Sequence, residues 1–269
     1  MRCRHCGSDL SLHMIDLGLA PLANAYLSQE ALGKPEQSYP LRVLVCEGCW
    51  LAQVEAFSEP NEIFQVDYAY FSGYSSTWVE HCKNYAKDMI ERFSLGPTSS
   101  VIEVGSNDGT LLRFFSDASM RCTGIEPTLG TAEAARALGL AVVTEFLTYD
   151  LAVLLRTRGL RADLLVANNV LAHVPDINDF VSACSMLLSD DGVATFEFPH
   201  LQELLAGSEF DTIYHEHLGY DTAKAFDNYF RRHGMKMTDI ERIALKGGSL
   251  RGLAQLADGP REVSDSVAK

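Results

Sequence analysis

Basic side chains are scarce in this 269-residue chain, with 22 Lys and Arg against 36 Asp and Glu and a formal charge of −14. Such a surplus of negative charge repels a polyanionic backbone, so nucleic acid is not expected as a partner; a local basic pocket for a small phosphorylated molecule stays compatible with it. Long apolar runs are missing too. No stretch approaches the ~20 residues that a membrane helix needs, and the opening Met-Arg-Cys-Arg-His-Cys has no apolar signal core, which predicts a cytoplasmic protein with no membrane partner. Seven cysteines, an odd number, do not close into a disulfide framework and point instead to thiols and metal ligands. What the chain does have is apolar substance: 47% hydrophobic and 9% aromatic residues can fill one large core with a small satellite.

Four of the cysteines fall into two pairs of one spacing, Cys3-x-x-Cys6 and Cys46-x-x-Cys49, with Gly7 and Gly48 beside them to ease tight turns. Two such knuckles brought together supply the four thiolates of a tetrahedral zinc site. That site is closed, with no position open for a catalytic water, so the metal is expected to be structural. Cys82, Cys122 and Cys184 stand singly in apolar patterns and read as small core residues. Between the knuckles, Ser11 to Gln37 shows no helical or strand period and reads as loop with short elements, whereas "YPLRVLVCEGC" alternates as a strand. A module of about 60 residues has little core of its own, and its metal is expected to supply much of its folding free energy.

Beyond residue 76 the pattern changes. Thr77 to Phe93 reads as a helix broken by Gly96-Pro97, and "SVIEVGSNDGTLL" as strand, tight loop and helix start. Apolar runs at 122–126, 140–143, 162–169 and 192–198 alternate with helical stretches near 129–138, 147–158 and 176–188. That alternation predicts an α/β fold with a doubly wound, mostly parallel sheet, whose ligands lie at the carboxyl ends of the strands. Gly105 and Gly109 would let the backbone approach a ligand, while Glu103 and Asp108 make the loop acidic. The loop lacks both the Gly-Lys-Ser/Thr of a phosphate cradle and the third glycine of a dinucleotide fingerprint. Glu126, at the end of the next strand, is placed for a ribose diol; an ordinary strand-end acid is the plainer alternative.

Further along, Tyr214-His215-Glu216-His217 packs four proton-handling side chains into four positions. Histidine titrates near neutrality, so the segment offers base, acid and hydrogen-bonding partner together. A solvated turn or a metal-binding His-x-His pair would read the same way.

Taken in order, "EVGSNDG", "GIEP" and "NNVLAHV" resemble the class I methyltransferases that use S-adenosylmethionine. That resemblance implies that Glu103, Gly105, Ser106, Asn107, Asp108, Gly109, Glu126 and Asn168 hold the cofactor. With the four-cysteine module, "DYAYFSGYSS" at 67–76 and "YHEHLGY", the whole resembles the sugar C-methyltransferases that act on nucleotide-linked 4-keto-deoxysugars. The implied division is a zinc module over 1–62, a connecting helical segment over 63–98, a methyltransferase domain over 99–258 and a polar tail over 259–269. The resemblance further implies that His217 removes the sugar C3 proton, with Tyr214 and Glu216 beside it; His173 and Tyr68 are the candidates for contacts to the enolate oxygen or the sugar. The substrate is then a nucleotide sugar, dTDP-linked, and the protein a monomer in a deoxysugar or antibiotic pathway. A small-molecule O- or N-methyltransferase and a non-catalytic binding module are the alternatives. Nothing here resembles the family's further C-terminal domain, which leaves the counter-charge for a diphosphate to Lys224, Arg231, Arg232, Lys246 or Arg251.

Overall fold

The computed structural model describes residues 1–23, 26–57 and 70–268. Tyr68 and the segment in which the first two expected divisions meet lie outside the described residues. Strands β4 (Ser100–Val104), β5 (Arg121–Ile125), β6 (Ala141–Val143), β7 (Ala162–Val166) and β8 (Leu188–Pro199) carry the apolar runs. Strands β10 (Met235–Ile243) and β11 (Ser249–Leu256) follow near the C-terminus. Together they form one seven-stranded sheet in the order β10-β11-β8-β7-β4-β5-β6. The five earlier strands are parallel to one another, and the β10–β11 hairpin runs antiparallel at the β8 side. Every residue of β4 is buried, Ser100 and Glu103 included, because helices cover both sheet faces, which explains why the strand does not alternate between apolar and polar positions.

Six helices pack around this sheet: α1 (Ser76–Phe93), α2 (Leu112–Asp117), α3 (Leu129–Ala137), α4 (Tyr149–Thr157), α5 (Ile177–Leu187) and α7 (Ala223–Arg232). Between α5 and α7 in the chain lies α6 (Leu201–Gly207). Several starts are set by side-chain caps: the Ser75 hydroxyl accepts the Trp78 N–H, the Asp176 carboxylate accepts those of Asn178 and Asp179, and the Thr222 hydroxyl accepts that of Ala225. Helix α7 turns Ala225, Phe226, Tyr229 and Phe230 inward, where Phe226 and Phe230 meet Phe196 and Phe198 of β8. The strand order reverses at β4, so the loops leaving β4 and β7 diverge and open a crevice between them.

The N-terminal segment forms a second sheet of β1 (Leu12–Ala20), β2 (Tyr39–Val45) and β3 (Ala52–Val54). Its fourth strand is β9 (Gly219–Tyr220), contributed from just beyond the Tyr-His-Glu-His segment. The expectation of loop over Ser11–Gln37 is corrected here, since nine of those residues form β1. Its period was hidden because two register shifts interrupt the pairing with β2, Gly18 sits at φ +76°, and the edge position leaves most of the strand exposed. Cys3, Cys46, Cys49 and Leu51 belong to the same core as α5, α7 and β8. The C-terminal residues run along the outer edge of β10, where the Ser264 N–H donates to the Thr238 carbonyl and a short helix, α8 (Asp265–Ala268), follows.

Candidate active site

A cavity of about 960 Å³ opens at the carboxyl ends of the parallel strands. One wall is the loop after β4. Gly105 has φ +65°, and a Cβ there would come within 2.8 Å of Val170, so the backbone needs glycine at this position. Ser106 and Asn107 also line the cavity, whereas Asp108 and Gly109 do not. Gly109 serves packing instead, since a Cβ there would stand 2.4 Å from Leu140 and 3.2 Å from Ala135. Asp108 and Asn107 act as fasteners: Asp108 Oδ2 accepts the Gly73 N–H at 2.8 Å, and Asn107 Oδ1 accepts the Ser72 N–H at 2.9 Å. Asn107 Nδ2 donates to the Tyr70 carbonyl at 3.0 Å, so residues 70–73 are strapped across the loop.

Two buried carboxylates face this end. Glu126 accepts the Asn107 N–H at 2.8 Å through Oε2 and the Thr128 N–H at 2.9 Å through Oε1, which fixes it rigidly at the tip of β5. Burial pushes the Glu103 carboxyl well above its ordinary range, and its Oε2 makes no hydrogen bond among the described residues. Across the crevice, Asn168 Oδ1 accepts the Glu197 N–H at 3.1 Å, and the Nδ2 atoms of Asn168 and Asn169 are buried with no partner among the described residues. Buried polar atoms left without partners are costly, so acceptors and donors turned to a ligand space suit a polar, amino- and hydroxyl-bearing cofactor. Asn169 was not singled out from the sequence, and its left-handed backbone at φ 57° has no signature there beyond the residue type.

The other end of the cavity holds the histidines. His173, Tyr214, Glu216 and His217 all line it, and the two histidine ring centroids are 4.9 Å apart. His217 Nδ1 lies 2.8 Å from the Thr212 carbonyl; a carbonyl only accepts, so Nδ1 carries the proton and Nε2 presents its lone pair. That lone pair meets the Tyr214 hydroxyl at 2.9 Å. His173 Nδ1 likewise donates to the Glu216 carbonyl at 2.9 Å. Burial, with the nearby Lys246 ammonium, lowers the His217 pKa to about 4, and burial with the His217 charge lowers that of His173 to about 3. Both rings are therefore neutral at physiological pH. Burial raises the Tyr214 phenol, keeping it a donor. His215 faces away from the cavity, its Nε2 3.2 Å from the Pro40 carbonyl and its ring against Tyr39 in the small sheet. His200 is also outside the lining, buried in front of α6.

Of the five cations considered for a diphosphate, Lys246 alone is placed at the cavity, its Nζ 5.3 Å from the centre of the Trp78 ring. Arg251 is committed to a buried ion pair with Glu197 at 2.7 Å, and Arg231 pairs with Asp227. Lys224 lies over Trp50 near the second knuckle. Carboxylates outnumber Lys246 in the described lining, which includes Glu103, Glu126, Asp176, Asp179, Glu209, Asp211 and Glu216.

Behind the cavity wall the four knuckle sulfurs converge within 4.8 Å of one another. Zinc–sulfur bonds of about 2.3 Å in a tetrahedron put sulfurs roughly 3.8 Å apart, so this donor set fits that ion. Gly7 at φ +77° and Trp50 at φ 65° hold matching positions after each second cysteine, donating to the Cys3 and Cys46 carbonyls at 2.9 and 2.7 Å. Gly48 has no left-handed φ; a Cβ there would crowd the Ser8 hydroxyl at 3.2 Å and stand in ordinary contact with the Cys46 and Cys6 sulfurs.

A sheet of this order, with a glycine loop after β4 and an acid at the tip of β5, is the class I methyltransferase architecture. Residues 78–240 match the family described as "Methyltransferase domain", and the chain belongs to that family. Residues 3–64 match the family described as "Putative zinc binding domain". The C-methyltransferase NovU of Streptomyces niveus is 33% identical over 267 residues, which cover 99% of this chain and 63% of NovU. The chain thus spans less than two thirds of that relative's length. Two solved structures share the fold. Magnesium protoporphyrin IX methyltransferase from Synechocystis, with bound SAH, has a TM-score of 0.52 at 14% identity over 65% of this chain and 82% of its own. An S-adenosylmethionine-dependent methyltransferase from Clostridium acetobutylicum has a TM-score of 0.53 at 10% identity over 68% and 92%. Among the described residues no helix is long and apolar enough to cross a membrane.

Proposed function

We propose that the chain is an S-adenosylmethionine-dependent C-methyltransferase acting on C3 of a nucleotide-linked, dTDP-type 4-keto-deoxysugar. The observation that carries the reading is a neutral His217 whose Nε2 accepts from the Tyr214 hydroxyl, both residues lining the same cavity as the glycine loop. Carbon is a poor nucleophile until a neighbouring carbonyl acidifies its C–H bond, so C-methylation needs a base where O-methylation of an acidic hydroxyl does not. The name of the NovU relative supports transfer to carbon.

In this reading His217 Nε2 takes the C3 proton, and the electron pair left behind delocalises into the 4-keto oxygen as an enolate. Tyr214, which donates to Nε2 at rest, turns its hydroxyl to that oxygen, stabilising charge that develops only in the transition state. The Thr212 carbonyl, 2.8 Å from Nδ1, holds the tautomer and stabilises the imidazolium that forms. Proximity of an anionic substrate raises the basicity of His217 from its value in the empty cavity. His173 and Lys246 face the same space and serve the sugar oxygens and the phosphate end, respectively. Glu103, Gly105, Ser106, Asn107, Glu126 and Asn168 hold the cofactor, with Asn169 added to that group. When bound, S-adenosylmethionine would supply the methyl group to C3, its sulfur keeping the electron pair of the broken carbon–sulfur bond. Cys3, Cys6, Cys46 and Cys49 would hold a zinc ion whose role is structural.

The test is solvent deuterium exchange at C3 of a dTDP-4-ketosugar. Washout at C3 and a C-methyl product are expected, and substrate binding with neither would sink the reading.

A further inference from the structure

The zinc knuckle is tied to both cavity histidines by a closed ring of hydrogen bonds. Leu218, which follows His217, donates its N–H to the Ala172 carbonyl at 2.6 Å, and Ala172 precedes His173. The Leu218 carbonyl accepts the Val54 N–H of β3 at 3.1 Å. The Val54 carbonyl accepts Arg4 Nη2 at 2.6 Å, and Arg4 Nη1 reaches the Pro175 carbonyl at 3.2 Å. Pro175 is two residues past His173, so the ring closes through the chain. Arg4 itself sits inside the Cys3–Cys6 knuckle, and its N–H donates to the Gln53 Oε1 at 3.0 Å. Fully buried Gln53 turns its Nε2 to the Cys3 sulfur at 3.3 Å. Asn178 Nδ2 holds the Arg4 and His5 carbonyls against α5 at 3.1 and 2.9 Å.

We infer that Arg4 is a positioning residue of the active site: seated by the metal knuckle, its guanidinium buckles β3 to the 173–176 wall and so sets the distance between His173 and His217. Planarity explains the residue type. A guanidinium offers two donors in a fixed fork, which spans two carbonyls on separate segments, whereas an ammonium behaves as a single point charge. Without the fork, the side-chain bridge from Val54 to Pro175 is gone, leaving the Leu218 link and the main-chain bonds of Arg4 to Gln53 and Asn178, and the histidine pair loosens. This inference rests on the catalytic reading for its effect on turnover, but its effect on ring geometry does not.

The experiment compares zinc-loaded full chain with Arg4→Ala and Arg4→Lys. Zinc content is measured by metal analysis, cofactor affinity by titration with S-adenosylmethionine, and the histidine rings by their NMR pH titrations; Tyr214, Tyr220, His173 and Lys246 face the His217 ring and stay unchanged in all three proteins. Arg4→Ala is expected to keep one zinc per chain and a cofactor affinity within about twofold. Its His217 titration should rise from about 4 by about a unit as the ring gains access to water. With ketosugar substrate, kcat should fall about tenfold with little change in KM, the split expected when the base is misplaced and the binding surface kept. Arg4→Lys should restore part of both effects, and it decides the matter if Arg4→Ala does not fold. Unmoved histidine titrations with kcat within twofold of the parent overturn the inference, as does loss of zinc that accounts for the whole effect. Absence of ketosugar turnover in the parent defeats the proposed function instead, since the titrations need no substrate.

Discussion

At the residue scale the site is governed by where two neutral histidines keep their protons. His217 and His173 have folded pKa values of about 4 and 3, below the ordinary histidine value of 6.5. Between those limits the unfolded chain binds protons that the folded chain does not, so stability is full above pH 6.5 and is lost as pH falls toward 4. A depression of this size at His217 corresponds to about 3 kcal/mol, less whatever solvent in the open cavity screens. Replacing His217 by Asn should therefore flatten the acid limb of a denaturant-melt series between pH 7 and 4; an unchanged limb would show the ring to be solvated. On activity, His217→Ala should leave S-adenosylmethionine binding intact while turnover drops roughly 10²-fold or more, and unchanged turnover would remove His217 from the mechanism. That Gly105, His173, Tyr214, Glu216 and His217 gather at one cavity was legible because glycine turns and proton-handling side chains have few substitutes. Gly109 and Asp108 were not, since a packing glycine and a fastening carboxylate look the same in sequence as cofactor contacts. Lys246 stood among five equal candidates, and only the turn that carries it to Trp78 separates it from the others.

At the scale of elements, the strongest sequence signals and the largest burial coincide. Helix α7 presents Phe226 and Phe230 with no exposed surface, and their ring centroids stand 4.1 Å apart over Phe196 and Phe198. A Cβ on Gly252 of β11 would come within 2.7 Å of the Phe226 ring, so the neighbouring strand has no side chain with which to fill a gap. Phe226→Ala is expected to cost about 3–5 kcal/mol, read as a lower midpoint in a urea melt, with a smaller loss marking a site that collapses around the truncation. The helix expected near 176–188 and found over Ile177–Leu187 was legible because period and burial agree along a continuous stretch. Strand β1 was not, because an edge strand with two register shifts and a left-handed glycine keeps no period to detect. Strand β9 is two residues long, and nothing in two residues announces a strand; its partner lies more than 160 positions away.

Over the whole molecule, the metal knuckles join the main core and are not a separate bead on its surface. Removing zinc should accordingly reach far. Chelation is expected to lower the thermal midpoint by about 5 °C or more, and metal analysis should give about one equivalent per chain, lost when Cys46 and Cys49 are both replaced. A midpoint unmoved by chelation would mean that the sulfurs stay packed as a reduced thiol cluster. The shared small sheet has a practical consequence for anyone building chimeras. Three of its strands come from residues 12–54 and the fourth from 219–220, so a graft cut between the two matched regions would carry away three strands and leave the fourth behind. The donor fragment would show a bare strand edge, and the recipient would lose the backbone partner beside His217. A working exchange has to move the 214–220 turn together with the knuckles, which makes the interleaved strand, and not the linker, the true unit of inheritance.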